Sequence, residues 1–256
     1  MSSSLSVVFF VHKLNFELFE LHAMDSIFEK FSNRNISVVV PQKIKDEINK
    51  FLKKRYSVPF KLIHLDDDNF KSISSYGKLL KSIEFYRLFE KFEYILIVQL
   101  DVLIVSDSLD YWINKKFTYI GAPWIQEDTG LKSLVVGNGG LSLRKTSDFI
   151  RWFSSGNLIS IPNWYYDKKK CPIILRSFIN NLINLGFIHN FLRYRFFEDF
   201  YWTQMVFPNC DYALLPDGEE ASTFSMEKTV PITNKENFIG YHAFQKYLNY
   251  DKWIGK

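Results

Sequence analysis

The chain has 256 residues, a length that accommodates one large domain or two small ones. Apolar residues make up 47%, charged residues 23%, and the formal net charge is +4, which excludes a disordered polyelectrolyte. No apolar run approaches the roughly 18 residues that a membrane-spanning helix needs.

The first strand is expected over 5–11, an unbroken apolar run. Phe16, Phe19, Ala23, Ile27 and Phe31 follow at helical spacing, with Asn15 as the N-cap. Residues 36–40 give a second strand, stopped by Pro41. A surface helix over 43–56 follows, with Ile44, Ile48 and Leu52 four residues apart. Residues 60–65 form a third strand, ending in the solvated run Asp66-Asp67-Asp68-Asn69. The pattern then predicts a helix over 76–92 and a fourth strand over 94–98. Alternating strands and helices of this kind predict a parallel sheet with right-handed crossovers.

Beyond residue 101 the pattern is less regular. A short strand is expected over 118–121, and Gly137-Asn138-Gly139-Gly140 reads as a turn into another strand or as a plain hairpin turn. A helix is expected over 145–154 and a short one over 198–207. Asp107 and Asp110 belong to a turn and a helix start. Residues 155–196 form an aromatic and basic insertion, helical over 173–185. Residues 163–195 carry Lys168, Lys169, Lys170, Arg176, Arg193 and Arg195 against the single acid Asp167, and no nucleic-acid recognition motif accompanies them. Trp164, Tyr165 and Tyr166 beside the lysines, with Ile173, Ile174, Phe178, Leu182 and Leu185 following, fit a surface-lying membrane contact. They equally fit a helix packed on the domain with only its lysines exposed.

The first residues lack a basic leader and the apolar stretch 7–11 is too short for a signal core, so no secretory signal is expected. Cys171 and Cys210 show no metal spacing and read as a reduced pair. Together these readings place the chain in the cytoplasm, peripheral at the inner membrane if the insertion makes its contact.

Three places carry the chemistry. Tyr94-Ile-Leu-Ile-Val-Gln-Leu-Asp101 is apolar at consecutive positions, the mark of a strand buried on both faces. Asp101 lies past its C-terminal end, where open α/β sheets bind ligands. It reads as a metal or ribose ligand, or as a cap on the next turn. Glu198 and Asp199 are adjacent, and neighbours on a helix point about 100° apart, so only one of them can face a cleft squarely. Asp199 reads as a general base, or the pair reads as acids favoured by a helix N-terminus. Gly137-Asn138-Gly139-Gly140 permits close approach of a ligand but has no Lys-Ser or Lys-Thr after it, so it is no phosphate loop.

These segments resemble a family of bacterial glycosyltransferase-like proteins long catalogued as a domain of unknown function in surface-polysaccharide gene clusters. Their fold is similar to the GT-A nucleotide-sugar transferases. The resemblance rests on the motif ending in Asp101, on Tyr119-Ile-Gly-Ala-Pro-Trp124, Val136-Gly-Asn-Gly-Gly-Leu-Ser-Leu-Arg144, Glu198-Asp-Phe-Tyr-Trp202 and Gly240-Tyr-His-Ala-Phe244. It implies one α/β domain over 1–256, Rossmann-like, with a mixed but mainly parallel sheet flanked by helices and the helical insertion 155–196.

The resemblance also implies roles. Asp101 takes the first place of the Asp-x-Asp motif that holds a divalent metal and the nucleotide diphosphate, with Gln99 beside it. Leu103 fills the second acidic place, so weak binding of Mn or Mg in the absence of nucleotide is expected. Either His242 supplies a further metal ligand, or Lys78, Arg144 and Lys246 neutralise the diphosphate directly. Asp199 falls on the base of inverting relatives, with Glu198 beside it in the catalytic pair. Trp124, Asn138, Gly139 and Gly140 line the donor or acceptor sugar. The implied activity is an inverting transfer from a nucleotide sugar, UDP by analogy, to a growing surface glycan (lipopolysaccharide, O-antigen or capsule) on a lipid carrier or on lipopolysaccharide. A retaining transferase and an inactive glycan-binding module on the same fold are the alternatives.

Overall fold

The computed structural model describes residues 5–124, 135–155, 159–163, 167, 169–184, 195–227 and 236–247. Trp164, Tyr165, Tyr166, Lys168, Leu185 and Arg193 of the insertion lie outside the described residues.

The first half follows the expected alternation. It runs β1 (Leu5–Phe10), α1 (Leu18–Lys30), β2 (Asn35–Pro41), α2 (Lys45–Arg55), β3 (Lys61–Leu65), α3 (Ile73–Leu79), α4 (Ile83–Arg87) and β4 (Tyr94–Val98). There follow β5 (Val102–Ile104), α5 (Leu109–Asn114), β6 (Tyr119–Gly121), β7 (Pro123–Trp124), β8 (Val135–Val136), β9 (Leu141–Lys145) and α6 (Thr146–Ser154). The last are α7 (Ile173–Asn184), α8 (Glu198–Phe200), α9 (Gly218–Phe224), β10 (Ser225–Met226), β11 (Gly240–His242) and α10 (Phe244–Tyr247).

The main sheet has six strands in the order β3-β2-β1-β4-β9-β6. β3, β2, β1 and β4 are parallel, and β9 runs antiparallel between β4 and β6. The sheet is thus mixed and mainly parallel, as expected. Consecutive apolar residues in β1 and β4 are explained by helices on both faces. Val7, Phe9, Leu96 and Val98 pack on one side with α1, α2, α5 and α9. Val8, Phe10, Ile95 and Ile97 pack on the other with α4, α6 and the aromatic run Tyr201-Trp202. A second small sheet, β10-β11-β5, holds β11 antiparallel to β5 through His242–Val102 and Tyr241–Leu103.

Several expected boundaries move. α1 begins at Leu18, not beside Asn15; the Glu20 carboxylate accepts from the Glu17 backbone N–H at 2.8 Å, closing the first turn. The helix expected over 76–92 is two short helices, each started by a serine: Ser72 accepts from Ser75 N and Ser82 from Phe85 N. The break is fixed by the Leu80 carbonyl, which takes the Tyr86 hydroxyl and the Trp202 indole N–H, both at 3.0 Å. The turn before β9 is no hairpin, because β8 pairs with β7 in a different sheet. The helix expected over 198–207 has one α-helical turn, then a π-helical stretch Tyr201–Val206 and a 3-10 turn Phe207–Asn209. π-helical insertions of this kind are frequent at functional sites. Asp107 and Asp110 receive Arg34, each at 2.8 Å, which accounts for both acids structurally.

Candidate active site

Two neighbouring hollows lie past the C-terminal ends of β1 and β4. The first, about 570 Å³, is lined by Phe10, His12, Phe19, Tyr76, Gln99 and Asp101 among others. The second, about 320 Å³, holds Asn138, Gly139, Gly140, Glu198, Asp199 and His242. Ile73, Tyr76 and Gln99 line both, so the hollows form a double cleft. Its position is the ligand-binding edge of an open α/β sheet.

Asp199 is the most perturbed acid of the cleft. Its carboxylate accepts from Phe200 N at 2.8 Å and from Gly139 N at 3.2 Å, which fixes it against the glycine turn. Burial, then the charge of Glu198, raises its pKa to about 7 despite those two donors. That is the range in which a carboxylate takes a proton from a hydroxyl at neutral pH.

Glu198 lines the same hollow as Asp199, but its carboxylate is taken up by a buried guanidinium. Arg144 donates to it from Nη2 to Oε1 at 2.8 Å and from Nη1 to Oε2 at 3.1 Å, and Arg144 is wholly buried. Arg144 also donates from Nε to Ser142 Oγ at 3.0 Å and from Nη1 to Tyr86 Oη at 3.1 Å. Burial works against this charge, but Glu198 and the tyrosines Tyr86 and Tyr119 outweigh it and hold the guanidinium well above its ordinary value. Two expectations are corrected here: Glu198 is the partner of Arg144, and Arg144 is neutralised beneath the cleft and out of reach of a diphosphate.

The glycine turn works by close approach. A Cβ on Gly139 would meet the Glu198 carboxylate, and one on Gly140 would meet the His242 ring and lie 2.9 Å from Gln99 Oε1. Asn138 is buried; its Oδ1 accepts from Gly140 N at 2.9 Å and its Nδ2 donates to Glu227 Oε2 at 3.0 Å.

Asp101 and His242 converge, with Oδ1 and Nε2 3.5 Å apart. One carboxylate and one imidazole are a donor set that could hold a divalent ion, with two protein ligands only. Leu103 turns away into an apolar cluster with Ala23 and Phe244 and supplies no ligand. Among the described residues no three His, Cys, Asp or Glu side chains form a closed metal cage.

Other expected residues lie elsewhere. Lys78 lines a separate hollow with Asn69 and Glu84, across α3 from the cleft. Lys246 is exposed on α10 and lines neither hollow. Trp124 stacks on Phe200 at 6.2 Å between ring centroids and backs the glycine turn at Gly137 instead of facing the cleft. Sequence reading missed Tyr76, Glu227 and Lys81. Lys81 is buried at the break between α3 and α4, lines the second hollow and donates to the Phe196 carbonyl at 2.6 Å. A polar Lys-Ser pair inside an apolar helical pattern was its only local signal.

The sequence profile of a family described as a protein of unknown function (DUF5672) matches residues 59–242. No curated protein sequence matches the chain. In structure it is similar to mouse xyloside xylosyltransferase 1 in its apo form, with a TM-score of 0.53 and 11% identity over 92% of this chain and 96% of that one. The apo glycosyltransferase GlyE of Streptococcus pneumoniae TIGR4 aligns over 57% of this chain and 35% of that one, at 16% identity and a TM-score of 0.38. At 11% identity the likeness to the xylosyltransferase is one of fold, and the fold is of the GT-A type.

Proposed function

We propose that this chain, which belongs to the DUF5672 family, is a glycosyltransferase that moves a sugar from a nucleotide donor to a glycan hydroxyl with inversion. The observation that carries this reading is Asp199, a carboxylate fixed at the glycine turn with a pKa raised to about 7, at one end of a double cleft whose other end holds Asp101.

In this reading the nucleotide occupies the first hollow, where Phe10 and Tyr76 offer ring faces and edges, and the acceptor enters the second. The sugar lies between them, beside Gln99 and the Gly139-Gly140 backbone. Asp199 takes the acceptor proton as the hydroxyl attacks the anomeric carbon, on the face opposite the departing diphosphate. Asp101 and His242 would hold a divalent ion there, which when bound supplies charge for the leaving diphosphate. Glu198 is tied to Arg144 and is not free to act as the nucleophile of a retaining double displacement.

UDP sugars are the donors to test first, and a glycan of the cell surface is the acceptor class. A thermal-shift panel of nucleotide sugars, with and without manganese, tests the reading. A donor at 100 times its dissociation constant stabilises by about 2.7 kcal/mol. A panel without any shift, together with no donor hydrolysis, would leave only a glycan-binding module on this fold.

A further inference from the structure

The insertion leaves an unusual helix on the surface. α7 is seated on the body through Ile183, which is buried, through Ile179, and through Asn180 Oδ1, which accepts from Ile161 N at 3.2 Å. That seating fixes which side faces out. The outward side carries Ile174 and Phe178, exposed by 86% and 58%, and Ile173 at the helix start is 78% exposed. A helix on a soluble domain ordinarily turns charged and polar residues to that side. α7 therefore has an apolar inner face and an outer one that is largely apolar and uncharged, with Ser177 and Asn181 beside Ile174 and Phe178.

The charges around it have one sign. Residues 155–196 contain a single acid, Asp167. It is paired with Arg176 at 2.6 Å. Lys169 and Lys170, immediately before the helix, are exposed, as is Arg195 where the chain returns. Two copies of the chain meeting through this face would bring the lysines together with no acid to receive them. An anionic phospholipid surface answers both the exposed apolar side chains and the lysines.

We propose that the outer face of α7, with Lys169 and Lys170, docks on an anionic phospholipid bilayer. The contact is peripheral: among the described residues no helix is long and apolar enough to cross a membrane. The same insertion ends in Arg195 and Phe196, which with the following Phe197 line the hollow that holds Asp199, and Phe197 is 73% exposed. One segment thus carries both the docking face and a wall of the acceptor hollow, which suits an acceptor anchored in lipid. The inference goes beyond the transfer reaction and is measured without turnover, so either can fail alone.

The test is flotation of the full chain with vesicles of phosphatidylcholine alone or mixed with phosphatidylglycerol, at low and high salt. Binding is expected on the mixed vesicles at low salt only. Replacing Lys169 and Lys170 by Glu should lower partitioning by about ten-fold or more. Ile174→Asp with Phe178→Asp should abolish it without moving the melting temperature, because both side chains are exposed. Phe178→Trp, conservative at an exposed ring, should add quenching by brominated lipid beyond that of the parent. No flotation at low salt, no change in the lysine variant, or no added quenching would overturn the proposal. A dimer lost in the Ile174→Asp, Phe178→Asp variant, with no vesicle binding in the parent, would assign the face to a second copy instead.

Discussion

Arg144 and Glu198 form a two-point ion pair in the interior, at 2.8 and 3.1 Å, directly beneath the residue that follows Glu198 in sequence. The pair holds α8 in place and so aims Asp199 at Gly139. Removing one partner leaves a buried charge without compensation, which typically costs about 3–5 kcal/mol. Glu198→Leu should therefore destabilise by about that amount in urea unfolding, and Arg144→Met combined with Glu198→Leu should be less damaging than the single change. Equal losses in the single and double variants would show that the pair is not what holds this corner.

Asp199 should govern the pH dependence. A base must be deprotonated to act, so kcat/KM should rise through about pH 7 and level off above it. Asp199→Asn should remove that limb and cut turnover by roughly 10²–10⁴-fold, with donor binding retained.

The same shift makes a stability prediction of opposite sign. The unfolded chain ionises this carboxyl near its ordinary value of 3.8, the folded one near 7. Between those values the unfolded state binds fewer protons, so folding stability falls as pH rises, and the loss is complete above 7. Asp199→Asn should thus gain in melting temperature relative to the parent at pH 8 and not at pH 3. A variant that melts lower at both values would mean that the donors from Gly139 and Phe200 outweigh the burial of the charge.

Much of the sheet was legible because β1, β2 and β4 are buried on both faces, and a two-faced strand writes itself as a consecutive apolar run. Asp101 and Asp199 were legible for a related reason: each is an acid placed where a regular element begins or ends. Arg144 was not. In β9 the pattern Leu-Ser-Leu-Arg puts Leu141 and Leu143 on one face and Ser142 and Arg144 on the other, which reads as a polar, cleft-facing side. Its partner lies 54 residues away and arrives through topology alone. The split between α3 and α4 was hidden for the same reason, since the indole that fixes the Leu80 carbonyl belongs to Trp202.

Gly140→Ala should act on the cleft. The new methyl meets the His242 ring, which must shift and so disturbs its approach to Asp101. Forcing a methyl into a close-packed site costs about 1–3 kcal/mol. Donor affinity measured by calorimetry should fall more than stability does. Gly77→Ala is the contrast in stability alone, because Gly77 also lines the second hollow but nothing lies within 4 Å of its Cβ, and in α3 the change should stabilise by about 0.5–1 kcal/mol. If Gly140→Ala binds donor like the parent, His242 has no part in holding it.

The last prediction concerns the metal. Asp101 and His242 supply two ligands, and Leu103 faces Ala23 and Phe244 where the second acid of an Asp-x-Asp motif would stand. Manganese alone should therefore raise the melting temperature little, and manganese with UDP should raise it more than UDP does, because the diphosphate completes the shell. Asp101→Ala should lose the manganese-dependent part of the UDP shift. Leu103→Asp should not repair the motif: its side chain is buried in the apolar cluster, so the new carboxylate would be desolvated without a partner and the variant should melt lower. Tight manganese binding by the free parent chain, or an Asp101→Ala variant that keeps the full manganese-dependent shift, would remove Asp101 from the donor site and with it the assignment of the first hollow to the nucleotide.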